Sequence, residues 1–157
     1  MIEKRKVLEA CIKAQKKRIE DLKQSLERTQ QSVREAPSSR QTWSDTSRFQ
    51  LGSIALETQR QVEEAKIALS QLRMLSVDIN VKNIISVGAL FTLKDIDTGE
   101  VSRYLLISEG GGDSFDIEGE EIMSISVEAP LAKVLLSKKK SDKVIFRDKD
   151  LEVVEVQ

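Results

Sequence analysis

The sequence predicts an α+β protein, in which an N-terminal antiparallel coiled-coil hairpin of two helices precedes a small mixed α/β domain. Charge is the first observation: residues 1–76 hold 15 basic and 10 acidic side chains, whereas residues 77–157 hold 10 and 16, so the net charge changes from +5 to −6. Apolar residues also repeat at heptad spacing in the first part and follow strand-like patterns in the second. We therefore predict two domains, 1–76 and 77–157.

Two features of the composition narrow the classes of function. The 157-residue chain has no His and one Cys, Cys11, which excludes His-based acid–base catalysis, His metal ligands, an internal disulfide and a Cys-rich zinc site. No apolar run approaches the roughly 20 residues of a membrane span. Charged residues also interrupt the N-terminal segment where a signal peptide needs an apolar core. We expect a cytoplasmic protein without a membrane partner.

The first helix is predicted at about residues 4 to 36. The segment Ile2–Glu35 lacks Gly and Pro and consists mostly of good helix formers. Pro37 ends the helix, because a proline disfavours the helical conformation of the residue before it. Steps of four and three residues define a heptad seam on one face. This seam consists of Leu8, Ile12, Gln15, Ile19, Leu22, Leu26, Thr29 and Val33.

The second helix is predicted at about residues 45 to 76, with Ser44 or Asp45 as its N-terminal cap. Its seam has the same spacing and consists of Leu51, Ala55, Thr58, Val62, Ala65, Leu69, Leu72 and Ser76. When the two helices run antiparallel, the numbers of facing seam residues sum alternately to 80 and 81 over seven layers, as for Gln15 with Ala65. This register favours an internal hairpin, and hence a monomer, over the alternative that the heptads join two chains.

Strand signals replace the heptads after about residue 76. The predicted strands are Ala89–Asp95, Val101–Ser108, Ile122–Val127, Lys143–Arg147 and Leu151–Val156. Asp97-Thr98-Gly99 joins the first two, since Gly tolerates positive φ, and Asp148-Lys149-Asp150 joins the last two. Glu109–Asp113 is a Gly-rich loop. We expect these strands to form a twisted, mostly antiparallel sheet.

One short helix is predicted between the third and fourth of these strands. Pro130 suits its first position, where the missing N–H has no partner in any case. Its apolar face is predicted to consist of Leu131, Val134 and Leu135. Lys138–Lys140 is placed in its last turn, where cations are favourable for the helix dipole.

Three runs of the second half, taken in order, resemble the GreA/GreB family of bacterial transcript cleavage factors. They are Val87-Gly88-Ala89-Leu90-Phe91-Thr92-Leu93, the hairpin Asp95-Ile96-Asp97-Thr98-Gly99-Glu100, and Ser124-Ile125-Ser126-Val127-Glu128-Ala129-Pro130-Leu131-Ala132-Lys133. The last run resembles the family's strand followed by a proline-started helix. The resemblance implies an N-terminal coiled-coil hairpin and a C-terminal domain of FKBP-like (FK506-binding-protein-like) fold.

The resemblance also implies a partner and a mode of action. The globular domain would bind the rim of the secondary channel of bacterial RNA polymerase through Glu128, Ala129 and Pro130, and the hairpin would reach toward the active site. Carboxylates at the hairpin tip would help to hold a Mg²⁺ ion shared with the polymerase and so promote cleavage of backtracked transcripts. The factor would then not be an enzyme and would need no cofactor of its own. Nascent RNA is a further partner expected for the basic hairpin.

The tip of this hairpin departs from the family's pattern. The family has an Asp, a Glu three residues later, and then Asn-Ala-Glu-Tyr, whereas the matching run here is Asp45-Thr46-Ser47-Arg48-Phe49-Gln50. Asp45 matches the first carboxylate, as a metal ligand or only as a helix cap, but Arg48 replaces the second with the opposite charge. Glu35, across the turn, is the candidate ligand that could compensate. Trp43 either closes the hairpin end or contacts the polymerase.

Three functions therefore stay open. The first is a factor that stimulates transcript cleavage or otherwise regulates elongation. The second is a factor that binds the same channel without stimulating cleavage, because Arg48 replaces a tip carboxylate. The third belongs to another class: an FKBP-fold binding module or peptidyl-prolyl isomerase on a coiled-coil stalk. Its pocket would have to be built from the aromatic residues Phe91, Tyr104, Phe115 and Phe146.

Overall fold

The computed structural model describes residues 3–36, 42–75 and 83–157. Its elements are α1 (Lys4–Glu35), α2 (Thr42–Met74), β1 (Leu90–Asp95), β2 (Val101–Ile107), β3 (Ser114–Ile117), β4 (Glu120–Ser126), α3 (Pro130–Leu135), β5 (Lys143–Phe146) and β6 (Lys149–Val156). None of the helices in these ranges is long and apolar enough to cross a membrane. The order of two long helices followed by a mixed sheet domain confirms the predicted fold class.

The two long helices pack as the predicted hairpin. Every described seam residue of α1 and α2 is buried or half-buried, while most of the other positions are exposed. Gln15 Nε2 donates a hydrogen bond to the carbonyl oxygen of Ala65 at 3.0 Å, which joins two residues that the register pairs. The hydroxyls of Thr29 and Thr58 donate to carbonyls four residues earlier in their own helices, so these polar seam residues are satisfied locally.

The chain divides into two compact units. One is Gln15–Leu69, and the other joins Met1–Ala14 to Ser70–Gln157. The predicted domain boundary at residue 76 lies outside the described residues and stays a prediction. Pro37, the predicted stop of the first helix, also lies outside the described residues.

The second unit contains a six-stranded sheet in the order β3-β4-β2-β1-β6-β5. Four strand pairs are antiparallel, and β2 with β4 is parallel, so the sheet is mostly antiparallel as predicted. Gly99 has φ +74° in the β1–β2 turn, the conformation for which the sequence provides a glycine.

Two apolar clusters cover the sheet in this unit. The first includes Phe91 and Leu106 of the sheet and Leu135 of α3. The second packs sheet residues such as Leu105 against residues at the start of α1 and the end of α2, among them Cys11. Burial raises the pKa of the Cys11 thiol to about 11, so this residue is packed rather than reactive.

Two helix predictions were wrong in detail. α2 begins at Thr42, so both predicted cap residues, Ser44 and Asp45, lie inside the helix rather than at its N-terminal cap position. α3 buries Ala132 and Leu135, whereas Val134 is 38% exposed. This helix ends at Leu135 because the chain turns extended and then reaches positive φ at Ser137. Lys138–Lys140 therefore follows the helix rather than forming its last turn.

The sheet also differs from the prediction in two places. β3 (Ser114–Ile117) was not predicted, since its four residues carry little apolar pattern and follow the Gly-rich loop. The closing hairpin turns at Arg147 and Asp148, with φ of +50° and +62°, and Phe146 pairs with Lys149. This is a two-residue turn with positive φ at both positions, which matches the twist of the strands, so the predicted turn at Asp148–Asp150 was placed too late.

Candidate functional site

The first candidate region is the tip of the hairpin. Glu35 is the last residue of α1, and Trp43, Asp45 and Arg48 lie at the start of α2, so the packed hairpin brings these backbone positions to one end. The side chains of Trp43 and Asp45 lie outside the described part. Arg48 is three residues after Asp45, a spacing that places the two residues on the same face of the helix.

The described side chains at the tip are polar and open to solvent. Glu35 is exposed, and its Oε1 accepts a hydrogen bond from Gln31 Nε2 at 2.7 Å. The exposed Arg48 guanidinium has no ion-pair partner in the described ranges. Within these ranges no group of three or more Asp, Glu or Cys residues could hold a metal ion. A tip Mg²⁺ site with Asp45 and Glu35 as ligands therefore stays a prediction.

A groove that the sequence reasoning missed lies beside the tip. It has a volume of about 560 Å³ and includes Val33 of α1 and Phe49, Gly52 and Leu56 of α2 in its lining. Phe49 is 77% exposed and Leu56 is 72% exposed. The sequence does contain a signal for this groove. Phe49 and Leu56 are two large apolar residues seven positions apart, and they lie outside the heptad seam, where a coiled coil does not need apolar residues for its own packing.

The second candidate region is the turn that leads into α3. Pro130 is the first residue of the helix, and Ala129 precedes it in an extended conformation. The Ala129 N–H donates to the Ser126 carbonyl oxygen at 3.0 Å, and the Glu128 carboxylate forms an ion pair of 2.9 Å with Lys133. Glu128 and Pro130 are exposed while Ala129 is half-buried, so the three predicted contact residues form a fixed, accessible edge.

A cavity of about 260 Å³ lies next to this edge, since Leu131 forms part of its wall. Tyr104 and Phe146 also line it. Phe91 is instead buried beneath Tyr104, with ring centroids 5.6 Å apart, and Phe115 packs in the other apolar cluster. Two of the four aromatic residues named for an isomerase pocket therefore reach this cavity.

Asp95 is the charged residue that shapes the rim of this cavity. Its Oδ1 accepts hydrogen bonds from the backbone N–H groups of Asp97 and Thr98, both at 3.0 Å, and its Oδ2 lies 3.4 Å from Lys149 Nζ. The Thr98 N–H, followed by Lys149 and the Asp97 N–H, holds the pKa of this carboxyl below its ordinary value. The charge of the Asp95 carboxylate therefore stabilises the turn between β1 and β2.

The comparison with protein families covers the second of these regions. Residues 80–157 match the model described as the C-terminal part of the transcription elongation factor GreA/GreB. The chain belongs to the GreA/GreB family. It is thus a Gre-family transcription elongation factor, as the sequence resemblance indicated, and the edge Glu128–Pro130 lies inside the matched range.

Solved structures of Gre-type proteins are among those to which this chain is similar. The GreA factor homolog Gfh1 of Thermus thermophilus is 17% identical, with a TM-score of 0.39 over 93% of this Gre factor and 94% of that chain. Thermus aquaticus Gfh1 is 20% identical, with a TM-score of 0.37 over 92% of each chain. A GreA/GreB protein from Nitrosomonas europaea is 17% identical, with a TM-score of 0.37 over 59% of this chain and 78% of its own. A search of curated proteins finds no match.

Proposed function

We propose that this Gre factor binds bacterial RNA polymerase at the secondary channel and places its hairpin tip near the active site without stimulating transcript cleavage strongly. Arg48 is the observation that carries the proposal. This exposed cation, without an ion-pair partner in the described ranges, occupies the position where the family resemblance places the second tip carboxylate. The factor would regulate elongation by occupying the channel, and any catalysis would belong to the polymerase.

The proposal follows from the ligand chemistry of Mg²⁺. This hard cation takes oxygen ligands and is usually held by one or two carboxylates together with phosphates and water. A guanidinium is always charged, repels the ion, and cancels part of the attraction of a neighbouring carboxylate. Asp45 alone would therefore offer one ligand beside an opposing charge. Glu35, across the turn, would have to supply a second ligand.

The docking half of the proposal rests on the edge before α3. A turn fixed by Pro130 and by the Ala129 hydrogen bond loses little conformational freedom on binding, which lowers the cost of association. The exposed Glu128 adds a charge at the rim of the contact, and the neighbouring cavity offers an apolar recess. A rim charge beside a recess is the arrangement expected of a protein-binding surface.

Competition for core RNA polymerase against a labelled Gre factor tests the docking. The double variant Glu128→Lys, Pro130→Ala is expected to bind about tenfold or more weakly, because it reverses a rim charge and frees the turn. Glu121→Lys is the matched control, since Glu121 is an exposed acid on β4 and carries the same change in charge. Equal affinity of the parent and the double variant would contradict the docking surface, provided that both have the same helical circular dichroism.

A further inference from the structure

The chain from α3 to β6 carries a concentration of positive charge that neither the tip nor the docking edge explains. Residues 133–149 contain seven basic and two acidic side chains, whereas residues 109–128 contain seven acidic and no basic ones. The first range includes the edge strand β5, and the second includes β3 and β4 at the opposite edge of the same sheet. The segment from Lys133 into β5 is therefore basic, whereas β3 and β4 at the opposite edge of the sheet are acidic. The neighbouring strand β6 adds Asp150, Glu152 and Glu155, so the positive charge is concentrated before β5 rather than along the whole edge.

The centre of this basic segment is Lys138–Lys143, here called the lysine loop. Lys139, Lys140 and Lys143 are exposed and Lys138 is half-buried. None of these four ammonium groups has an ion-pair partner in the described ranges. The acid within the loop, Asp142, accepts a hydrogen bond from the Lys139 backbone N–H at 2.9 Å and offsets only one of the four lysine charges, so the loop has a net charge of +3.

The lysine loop is also held in one conformation. The Ile85 N–H donates to the Lys138 carbonyl oxygen at 2.7 Å, and the Ser141 N–H donates to the Val153 carbonyl oxygen at 2.7 Å. Ser137 and Ser141 take positive φ, +66° and +72°, so the chain turns sharply on both sides of the three lysines. A fixed backbone presents the lysines together and leaves less disorder to lose on binding.

A ligand for this surface must be rich in negative charge. Lysine is depleted in protein–protein interfaces, whose centres favour aromatic residues and arginine, but it is a common ligand of phosphate groups. The phosphodiester backbone of a nucleic acid carries regularly repeated negative charges. A group of lysines can bind these charges whatever the base sequence is. Beyond the loop, the guanidinium of Arg147 lies 5.2 Å from the centre of the Phe146 ring, which adds a fixed cation on the β5–β6 turn.

We infer that the lysine loop binds the phosphodiester backbone of a nucleic-acid duplex, without reading its sequence. This contact lies in the sheet domain and does not depend on the hairpin tip. It would give the factor an anchor on nucleic acid in addition to its polymerase contact. DNA and RNA duplexes share this phosphodiester chemistry, so the test measures binding to each of them separately.

The test measures fluorescence anisotropy of short labelled DNA and RNA duplexes titrated with the full chain at about 50 mM salt and above. The triple variant Lys138→Glu, Lys139→Glu, Lys140→Glu is expected to bind at least about tenfold more weakly and to lower the salt slope of the affinity by about two to three. The milder triple change to Gln should weaken binding in the same direction. Thermal melts establish that the variants are folded.

The matched control compares single substitutions, Lys139→Glu in the loop with Lys94→Glu, which makes the same change in charge at an exposed position of β1 outside the hairpin. Lys94→Glu should keep most of the affinity, whereas Lys139→Glu should lose part of it. Equal losses in these two single variants would show an effect of net charge alone and would overturn the inference, as would a parent chain that binds neither duplex. If polyglutamate competes with the labelled duplex as effectively as unlabelled duplex does, the loop is instead a binding site for an acidic protein, which would also overturn the inference. No polymerase is present, so the result is independent of the proposed function.

Discussion

Asp95 shows at the scale of one residue how the sequence fixes the sheet. Its carboxylate holds the β1–β2 turn through the N–H groups of Asp97 and Thr98 and pairs with Lys149 on β6. One side chain thereby joins a turn to a neighbouring strand. The sequence showed that a turn lies here, through Gly99, but the partner on β6 depends on a strand pairing that connects residues far apart in the chain.

The lowered pKa of Asp95 gives a pH-dependent prediction. Because the folded-state pKa lies below that of the unfolded chain, ionised Asp95 stabilises the fold above the unfolded pKa, and this contribution is lost as the pH falls through the folded pKa. Asp95→Asn keeps an oxygen acceptor but removes the charge. We expect it to lower the melting temperature at pH 7. The difference from the parent should begin to shrink below about pH 4 and disappear once the pH is below the folded pKa.

Thermal melts of the parent and the variant across this pH range measure the effect. Asp97→Asn at the exposed neighbouring position is the control and should melt like the parent throughout. A difference between Asp95→Asn and the parent that stays constant down to low pH would contradict an electrostatic contribution from Asp95.

At the scale of elements, the hairpin depends on the burial of one narrow seam. Ile19 and Val62 are 7% and 4% exposed, whereas neighbouring positions of both helices face solvent. Polar residues fit into the seam where they find a partner, as Gln15 does on the Ala65 carbonyl. A polar seam residue without a partner would instead carry the full cost of its lost hydration.

Ile19→Asp tests the seam. A carboxylate at this position would lie without a partner between the two helices, so we expect a loss of unfolding free energy of about 3 kcal/mol or more and reduced helicity. Urea unfolding followed by circular dichroism measures both. Gln24→Asp introduces the same charge at an exposed position of α1 and is expected to change stability by less than about 0.5 kcal/mol. Similar losses for the two variants would contradict the register.

At the scale of the whole molecule, structural features that follow from a repeating sequence pattern or from a proline could be predicted. Features that depend on strand pairing or on the backbone conformation of a single residue could not. The heptads and the constant register determined the hairpin, and Pro130 determined the start of α3. β3 was missed because its strand forms by pairing with β4 rather than by its own apolar pattern. The position of the lysines after α3 was also missed, because the end of that helix depends on positive φ at Ser137, a residue without glycine's freedom.

The candidate functional regions also differ in how far the sequence could predict them. The edge Glu128–Pro130 could be located from sequence because a proline marks it, and the structure places it at an exposed turn. The groove beside Phe49 could not, since its shape requires both helices. The position of the tip follows from the hairpin register, whereas the metal chemistry proposed for it would depend on ligands from a polymerase active site, which the sequence of this chain does not contain.

Cleavage of backtracked RNA by purified polymerase tests the central claim, that Arg48 keeps the tip from supporting the second metal. The parent is predicted to stimulate cleavage weakly or not at all, and Arg48→Glu to stimulate it about tenfold or more, because a second carboxylate then faces the ion beside Asp45. Adding Asp45→Ala should remove the gain, and Arg18→Glu, the same charge change at an exposed position of α1, should show none. A parent that stimulates cleavage as well as Arg48→Glu would contradict the account and make Glu35 the next ligand to mutate.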